Sequence, residues 1–107
     1  MNPRIQQAQT QAARADFTGL QTLYPQLSAD PAVTPNDLLD AGALLAQFGF
    51  LRQAQSCYQH ALDQDPQDLR PQVNLANLAR DRGEHARSRQ AYAELQQHYP
   101  DHPVIRR

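Results

Sequence analysis

Three kinds of punctuating residue recur along this chain at one fixed interval. The recurring pairs are Gly49 and Gly83, Tyr58 and Tyr92, and Pro66 and Pro100. Each pair is separated by 34 residues. A period of this length is typical of repeat proteins, in which each repeat is one supersecondary unit that buries its apolar face against the next unit. The interval therefore predicts an array of similar units.

Within a period, two helices are predicted with a turn between them. Pro35 and the two polar residues after it favour a helix start. Apolar residues then follow at spacings of three and four, which indicates one buried stripe; they are Leu38, Ala41, Leu44, Leu45 and Phe48. Gly49 ends this helix, and a second helix over 51–64 ends at Asp65, before Pro66. A link of about two residues makes the pair antiparallel.

The same plan is predicted on both sides of this pair. Downstream, a helix over 68–83 is followed by a second one over 84–100. Upstream, 3–15 and the apolar stripe from Phe17 to Leu27 form a weaker copy.

Three features weaken the first copy. Ala15 stands where the later pairs have the turn glycine, and 28–35 is a linker. Pro25 is predicted to end or kink the second helix near Tyr24, because proline lacks an N–H and its ring clashes with the preceding turn.

The pattern resembles the tetratricopeptide repeat (TPR) family. In that family small residues separate two crossing helices, an aromatic residue fills the space between them, and glycine and proline form the turns. The second unit matches with Gly42, Gly49, Ala54, Tyr58, Ala61 and Pro66. The third offers Ala76, Gly83, Ser88, Tyr92, Leu95 and Pro100, of which Leu95 departs from the pattern. The first is a partial match with Ala8, Ala15, Leu20, Tyr24 and Leu27, and Pro31 stands one place early.

The resemblance implies an all-α, TPR-like solenoid of helical hairpins. About six antiparallel helices would form three repeats in one domain. The repeats are 1–34, which is degenerate, 35–68 and 69–102, with a tail at 103–107.

Stacked TPR hairpins form a concave groove lined by the first helix of each pair. The positions that correspond to groove side chains in the family are Asn36, Leu39, Asp40, Ala43, Ala46, Gln47, Arg70, Val73, Asn74, Asn77, Arg80 and Asp81. Asparagine side chains can donate to and accept from an extended peptide backbone, and arginine can pair with a carboxylate. The alternative interpretation is a set of ordinary solvated helix residues.

Composition limits the classes of partner. The chain has ten basic residues, all arginine, and eleven acidic ones. The basic excess of a duplex-binding domain is therefore absent, and we expect no nucleic-acid partner. No apolar run has the length of a membrane span, and the N-terminus lacks a signal-peptide core. We therefore expect a cytoplasmic protein without a membrane partner.

Charge is divided unevenly along the chain. Residues 1–68 hold three Arg and seven Asp, whereas 69–107 hold seven Arg and four acidic residues. The balances are 3 − 7 = −4 and 7 − 4 = +3. One interpretation is two ordinary solvated faces. The other is a charged surface that attracts a partner or favours head-to-tail contact between copies.

The sequence favours a non-catalytic protein without a cofactor. Cys57 is predicted to be a small core residue in preference to a nucleophile paired with His60. His98 and His102 have a metal-like spacing, but Pro100 lies between them and no third ligand is evident. The carboxylates in 63–68 lack the glycine turn and the terminal Glu of a calcium loop.

We therefore expect a module that binds a peptide segment of another protein in its groove. One alternative is homodimerisation through the C-terminal helix, which has no capping helix after it. Another is the substrate-binding arm of an O-GlcNAc transferase-like (SPINDLY-type) enzyme. The residues 74–92 resemble such arms, although only Asn74 fits their asparagine ladder. A clamp for chaperone tails is disfavoured because the chain has no lysine.

Overall fold

The computed structural model describes residues 1–100, and this part of the chain consists of six α-helices joined by turns, without a β-strand. The helices are α1 (Pro3–Ala13), α2 (Thr18–Ser28), α3 (Pro35–Gln47), α4 (Leu51–Gln64), α5 (Leu69–Asp81) and α6 (His85–His98). The prediction of an all-α chain is confirmed. The ends of α5 and α6 repeat those of α3 and α4 almost residue for residue after 34 positions.

The three turns within the helix pairs share one backbone geometry. Ala15, Gly49 and Gly83 have φ angles of 61°, 85° and 83°, so all three lie in the left-handed region. The next residue in each turn donates its N–H to the carbonyl five residues earlier; these bonds are Asp16 to Gln11 at 2.9 Å, Phe50 to Leu45 at 2.9 Å and Glu84 to Ala79 at 2.8 Å. This pattern is the Schellman ending of a helix. The three positions lie 34 residues apart, so the turn recurs with the sequence period.

A tight crossing holds α3 and α4 together. Gly42 and Tyr58 each lie eight residues from Phe50, on opposite sides of the turn, and they are in contact, so the helices are antiparallel. A Cβ atom on Gly42 would stand 2.4 Å from the Tyr58 ring, which is shorter than any real carbon contact. The expected pairing of a small residue with an aromatic residue is confirmed here.

Pro25 does not end α2 near Tyr24, which corrects the first of the two predicted outcomes, an end or a kink. The helix continues to Ser28. Proline leaves the carbonyl of Gln21 without its usual intrahelical donor. Gln53 of α4 donates from Nε2 to this carbonyl at 3.1 Å, and its Oε1 accepts from the Tyr24 N–H at 3.3 Å. A side chain distant in sequence thus supplies the donor that Pro25 lacks.

Each helix pair contacts the next one in chain order. Within residues 1–100, no helix of the first pair approaches a helix of the third, and α6 contacts α5 alone. The core cluster is concentrated in the first two pairs, and its largest fully buried members are Ile5, Leu20, Leu23, Leu27, Leu38 and Leu45. In the third pair Leu78 belongs to this cluster and Leu75 packs against it. The third pair is therefore the least buried part of the described chain.

Candidate functional site

Most of the predicted groove residues are accessible on α3 and α5. The exposed ones are Asn36, Asp40, Ala43, Gln47, Arg70, Arg80 and Asp81, and the half-buried ones are Ala46, Val73, Asn74 and Asn77. Leu39 differs from them, because it is 9% exposed and belongs to the core. It presents little surface to a partner.

Arg70 is held in place by two neighbours. Its Nε and Nη2 donate to the two carboxylate oxygens of Asp68, at 3.1 and 2.8 Å. Its Nη1 donates to Asn36 Oδ1 at 2.9 Å, which ties α5 to α3 across 34 residues of sequence. These bonds to Asp68 raise the pKa of Arg70 further, and the nearby carboxylates of Asp65 and Asp40 add to the effect. A guanidinium has five N–H donors, so two remain available for a ligand.

The two asparagines of α5 serve different purposes. Asn77 Oδ1 accepts a hydrogen bond from the Tyr92 hydroxyl, so this side chain holds α6 against α5. Asn74 is half-buried, and its amide has no hydrogen-bond partner within residues 1–100. Arg80 follows on the same helix, 3.6 Å from Asp81, with about half of both side chains exposed. Among the asparagines predicted for the groove, Asn74 is therefore the one whose side-chain amide is not engaged by another residue within 1–100.

A cleft of about 410 Å³ lies elsewhere, between α4, α5 and α6. Leu62, Leu75 and Leu95 line it among other residues, and none of the predicted groove residues does. Its rim is polar: Arg82 donates to Gln55 and lies 3.5 Å from Glu84. The sequence did not reveal this cleft, because it exists only where α6 packs on α5 without reaching α4.

A second, more open concavity of about 430 Å³ includes Tyr24 and His60. The Tyr24 hydroxyl is 3.5 Å from His60 Nδ1, and the two rings meet edge to face. Burial raises the pKa of Tyr24, and the nearby Cys57 and Asp63 contribute to the shift.

Cys57 lies in the core, as the sequence predicted. Its side chain is fully buried, and burial raises the pKa of its thiol to about 12. The thiolate is the nucleophilic form. Cys57 is therefore unreactive at neutral pH in the folded chain. No hydrogen bond joins Cys57 to His60 within residues 1–100, so the alternative of a nucleophilic pair gains no support; His60 lies next to the Tyr24 hydroxyl.

The other candidate ligand sets gain no support from the structure. His98 is exposed at the end of α6, and His102 lies outside the described residues. No three metal-binding side chains come together in the part of the chain from 1 to 100.

The outer surface of α6 is less apolar than the sequence suggested. Among residues 1–100, the exposed large hydrophobic side chains are Met1 and Phe17, and neither lies on α6. Homodimerisation through this helix remains a prediction, and exposed alanines supply its apolar area.

No helix within residues 1–100 is both long and apolar enough to cross a membrane.

Comparison with known proteins gives no relative from which function can be transferred. No family model matches this chain, and neither the curated proteins nor the solved structures contain a match.

Proposed function

We propose that this chain is a TPR-type module that binds a peptide segment of another protein on the face formed by α3 and α5. The observation that supports the repeat assignment is the Schellman turn, which recurs at Ala15, Gly49 and Gly83 in step with the sequence period. The small-to-aromatic contact between Gly42 and Tyr58 is a second feature of the family pattern.

The peptide-binding part of this proposal rests on Arg70 and Asn74. Arg70 is already fixed by Asp68 and Asn36, so a ligand carboxylate that binds it loses little additional side-chain entropy. Asn74 lies four residues further along α5, on the same side of the helix, and can donate to and accept from a peptide backbone. An extended segment with an acidic residue fits these two positions.

Selection from a displayed library of random peptides tests this function. We expect recovered peptides to contain Asp or Glu, and Asn74→Ala to weaken their binding about tenfold through the loss of hydrogen bonds. Asn74→Ala is preferable to a substitution of Asn77, which would also loosen α6.

The matched control is Gln59→Ala in the cleft on the other side of α5. Unchanged binding of the Asn74 variant, together with weaker binding of the Gln59 variant, would move the site to the cleft. A chain that selects no peptide at all would argue against the proposed function.

A further inference from the structure

Helix pairing brings the three turns of this chain to one edge of the molecule. We define the turn edge as residues 9–21, 43–55 and 77–89, which are related by the 34-residue period. The Phe17 ring lies 5.8 Å from that of Phe48, so the first turn adjoins the second. The hydrogen bond from Arg82 to Gln55 joins the second turn to the third.

The connections between pairs lie at the opposite edge. We define the loop edge as residues 28–40 and 62–74. Gln64 Nε2 donates to the Val33 carbonyl at 3.1 Å, and the bond from Arg70 to Asn36 crosses the same two segments. The start of α1 also reaches this edge, where Arg4 lies 3.5 Å from Asp30.

Charge is sorted between these two edges. The turn edge contains Arg14, Arg52, Arg80, Arg82, Arg87 and Arg89, and Asp16, Asp81 and Glu84. Its balance is 6 − 3 = +3. The loop edge contains Asp30, Asp37, Asp40, Asp63, Asp65 and Asp68, and Arg70. With Arg4 from α1 counted there, its balance is 2 − 6 = −4. A chain with a net charge of −1 is thus strongly polarised along its helices.

Local ion pairs do not cancel this polarity. On the turn edge, Arg14, Arg52 and Arg89 have no salt bridge within residues 1–100. On the loop edge, the same holds for the carboxylates of Asp40 and Asp63. All five side chains are exposed, so the turn edge presents three unpaired arginines to the solvent beside the equally unpaired Asp16, and the loop edge presents unpaired carboxylates.

The turn edge also offers apolar contact. Phe17 is 40% exposed and packs against Phe48 and Phe50 with tilted rings, whose centroids lie 5.8 and 6.5 Å from that of Phe17. Arginine next to exposed aromatic rings is typical of protein interfaces, where such residues are enriched.

We propose that the turn edge of one copy of this chain binds the loop edge of a second copy. The partner is a second copy because this chain itself carries the complementary acidic surface. The contact is heterologous, so it can extend into open chains of molecules. It differs from a homodimer through α6, because it uses opposite edges and depends on charge.

Sedimentation velocity at low and high salt measures this association. At about 20 mM NaCl we expect the mass to rise with concentration above the 12.1 kDa monomer. At about 500 mM NaCl we expect the apparent Kd to rise at least about tenfold. Salt at this concentration screens the attraction between the arginines of one copy and the aspartates of the other.

Two charge-changing variants separate the edges. Arg52→Glu/Arg89→Glu changes the balance of the turn edge from +3 to 4 − 5 = −1, and Asp40→Arg/Asp63→Arg changes that of the loop edge from −4 to 4 − 4 = 0. Each variant alone should remain monomeric at low salt. An equimolar mixture should associate again, since the unaltered loop edge of the first variant then meets the unaltered turn edge of the second. Glu94→Arg, which lies outside both edges, is the charge-changing control and should associate like the wild type. Circular dichroism checks that all variants are folded.

Three outcomes would overturn the proposal. The wild type is monomeric at every salt concentration, or the mixture fails to associate, or association persists unchanged in both variants and at high salt. The last result would favour the α6 homodimer. If the wild type is monomeric but an oligoglutamate peptide binds its turn edge, the surface belongs to an acidic partner.

Discussion

At the scale of single residues, Ala15 is the position where sequence and backbone disagree. Its φ of 61° is one that glycine adopts freely and that costs alanine roughly 1–2 kcal/mol. Gly49 and Gly83 occupy the same place in the later turns without this cost. The first turn therefore keeps the repeat geometry despite its unfavourable residue, because the flanking hydrogen bonds and the packing of α1 on α2 impose it.

Replacing Ala15 by glycine should stabilise the chain. We expect Ala15→Gly to raise the free energy of unfolding by about 0.5–1 kcal/mol, since the relieved strain exceeds the entropy that an extra glycine gains in the unfolded chain. Gly83→Ala is the matched control and should lower the free energy of unfolding by about 1 kcal/mol. This loss comes from backbone strain alone, because no atom lies close enough to clash with the added Cβ. Urea unfolding measures both changes. A less stable Ala15→Gly variant would contradict this account.

At the scale of helices, α2 shows how one side chain sustains an element that its own sequence would interrupt. Gln53 bonds to the Gln21 carbonyl, which Pro25 leaves without its donor, and to the Tyr24 N–H just before the proline. Because Gln53 belongs to α4, the second helix of the next pair, the continuity of α2 depends on contact between pairs.

A double-mutant cycle on Gln53 and Pro25 tests this dependence. Gln53→Ala should lower the free energy of unfolding by about 1 kcal/mol, since the Gln21 carbonyl loses the donor that replaces the missing proline N–H. In a Pro25→Ala background the loss should be smaller, because the introduced alanine can donate its own N–H to Gln21. Equal losses in the two backgrounds, measured by urea unfolding, would show that Gln53 stabilises something other than this interruption.

At the scale of the whole molecule, stability is distributed unequally among the three pairs. The core cluster is concentrated in the first two, and Leu78 is its member from the third. Local unfolding proceeds from regions with few buried apolar contacts. The third pair, which carries Arg70, Asn74 and Asn77, should therefore open first.

Truncating Leu78 should separate the third pair from the rest. Leu78 is 3% exposed, and Leu78→Ala removes about 2–5 kcal/mol of stabilising contact. We expect amide hydrogen exchange to rise in α5 and α6 much more than in α1 to α4. Leu20→Ala, at a fully buried site of the first pair, is the control and should affect α1 and α2 most. A uniform rise along the chain in both variants would mean that the molecule unfolds as one cooperative unit.

Much of the architecture was predictable because it depends on short-range rules. Glycine at two turns, proline near helix starts and apolar residues at spacings of three and four predicted five of the six helices with ends close to those observed. The contact between Gly42 and Tyr58 followed from the repeat pattern as well. Whether the polar residues of α3 and α5 bind a peptide was not decided by these rules, since exposed side chains leave no periodic signal of what they bind.

By itself, the sequence determined the helices, the period of 34 and the burial of Cys57, because local propensity and apolar spacing act within a few turns of chain. The tertiary structure alone decided that α2 continues through Pro25, that Leu39 is buried in the core and that the Asn77 side chain accepts a hydrogen bond from Tyr92. It also decided that arginines and aspartates collect at opposite edges. Each of these outcomes depends on contacts between segments that are distant in sequence, and such contacts exist only once the pairs have packed.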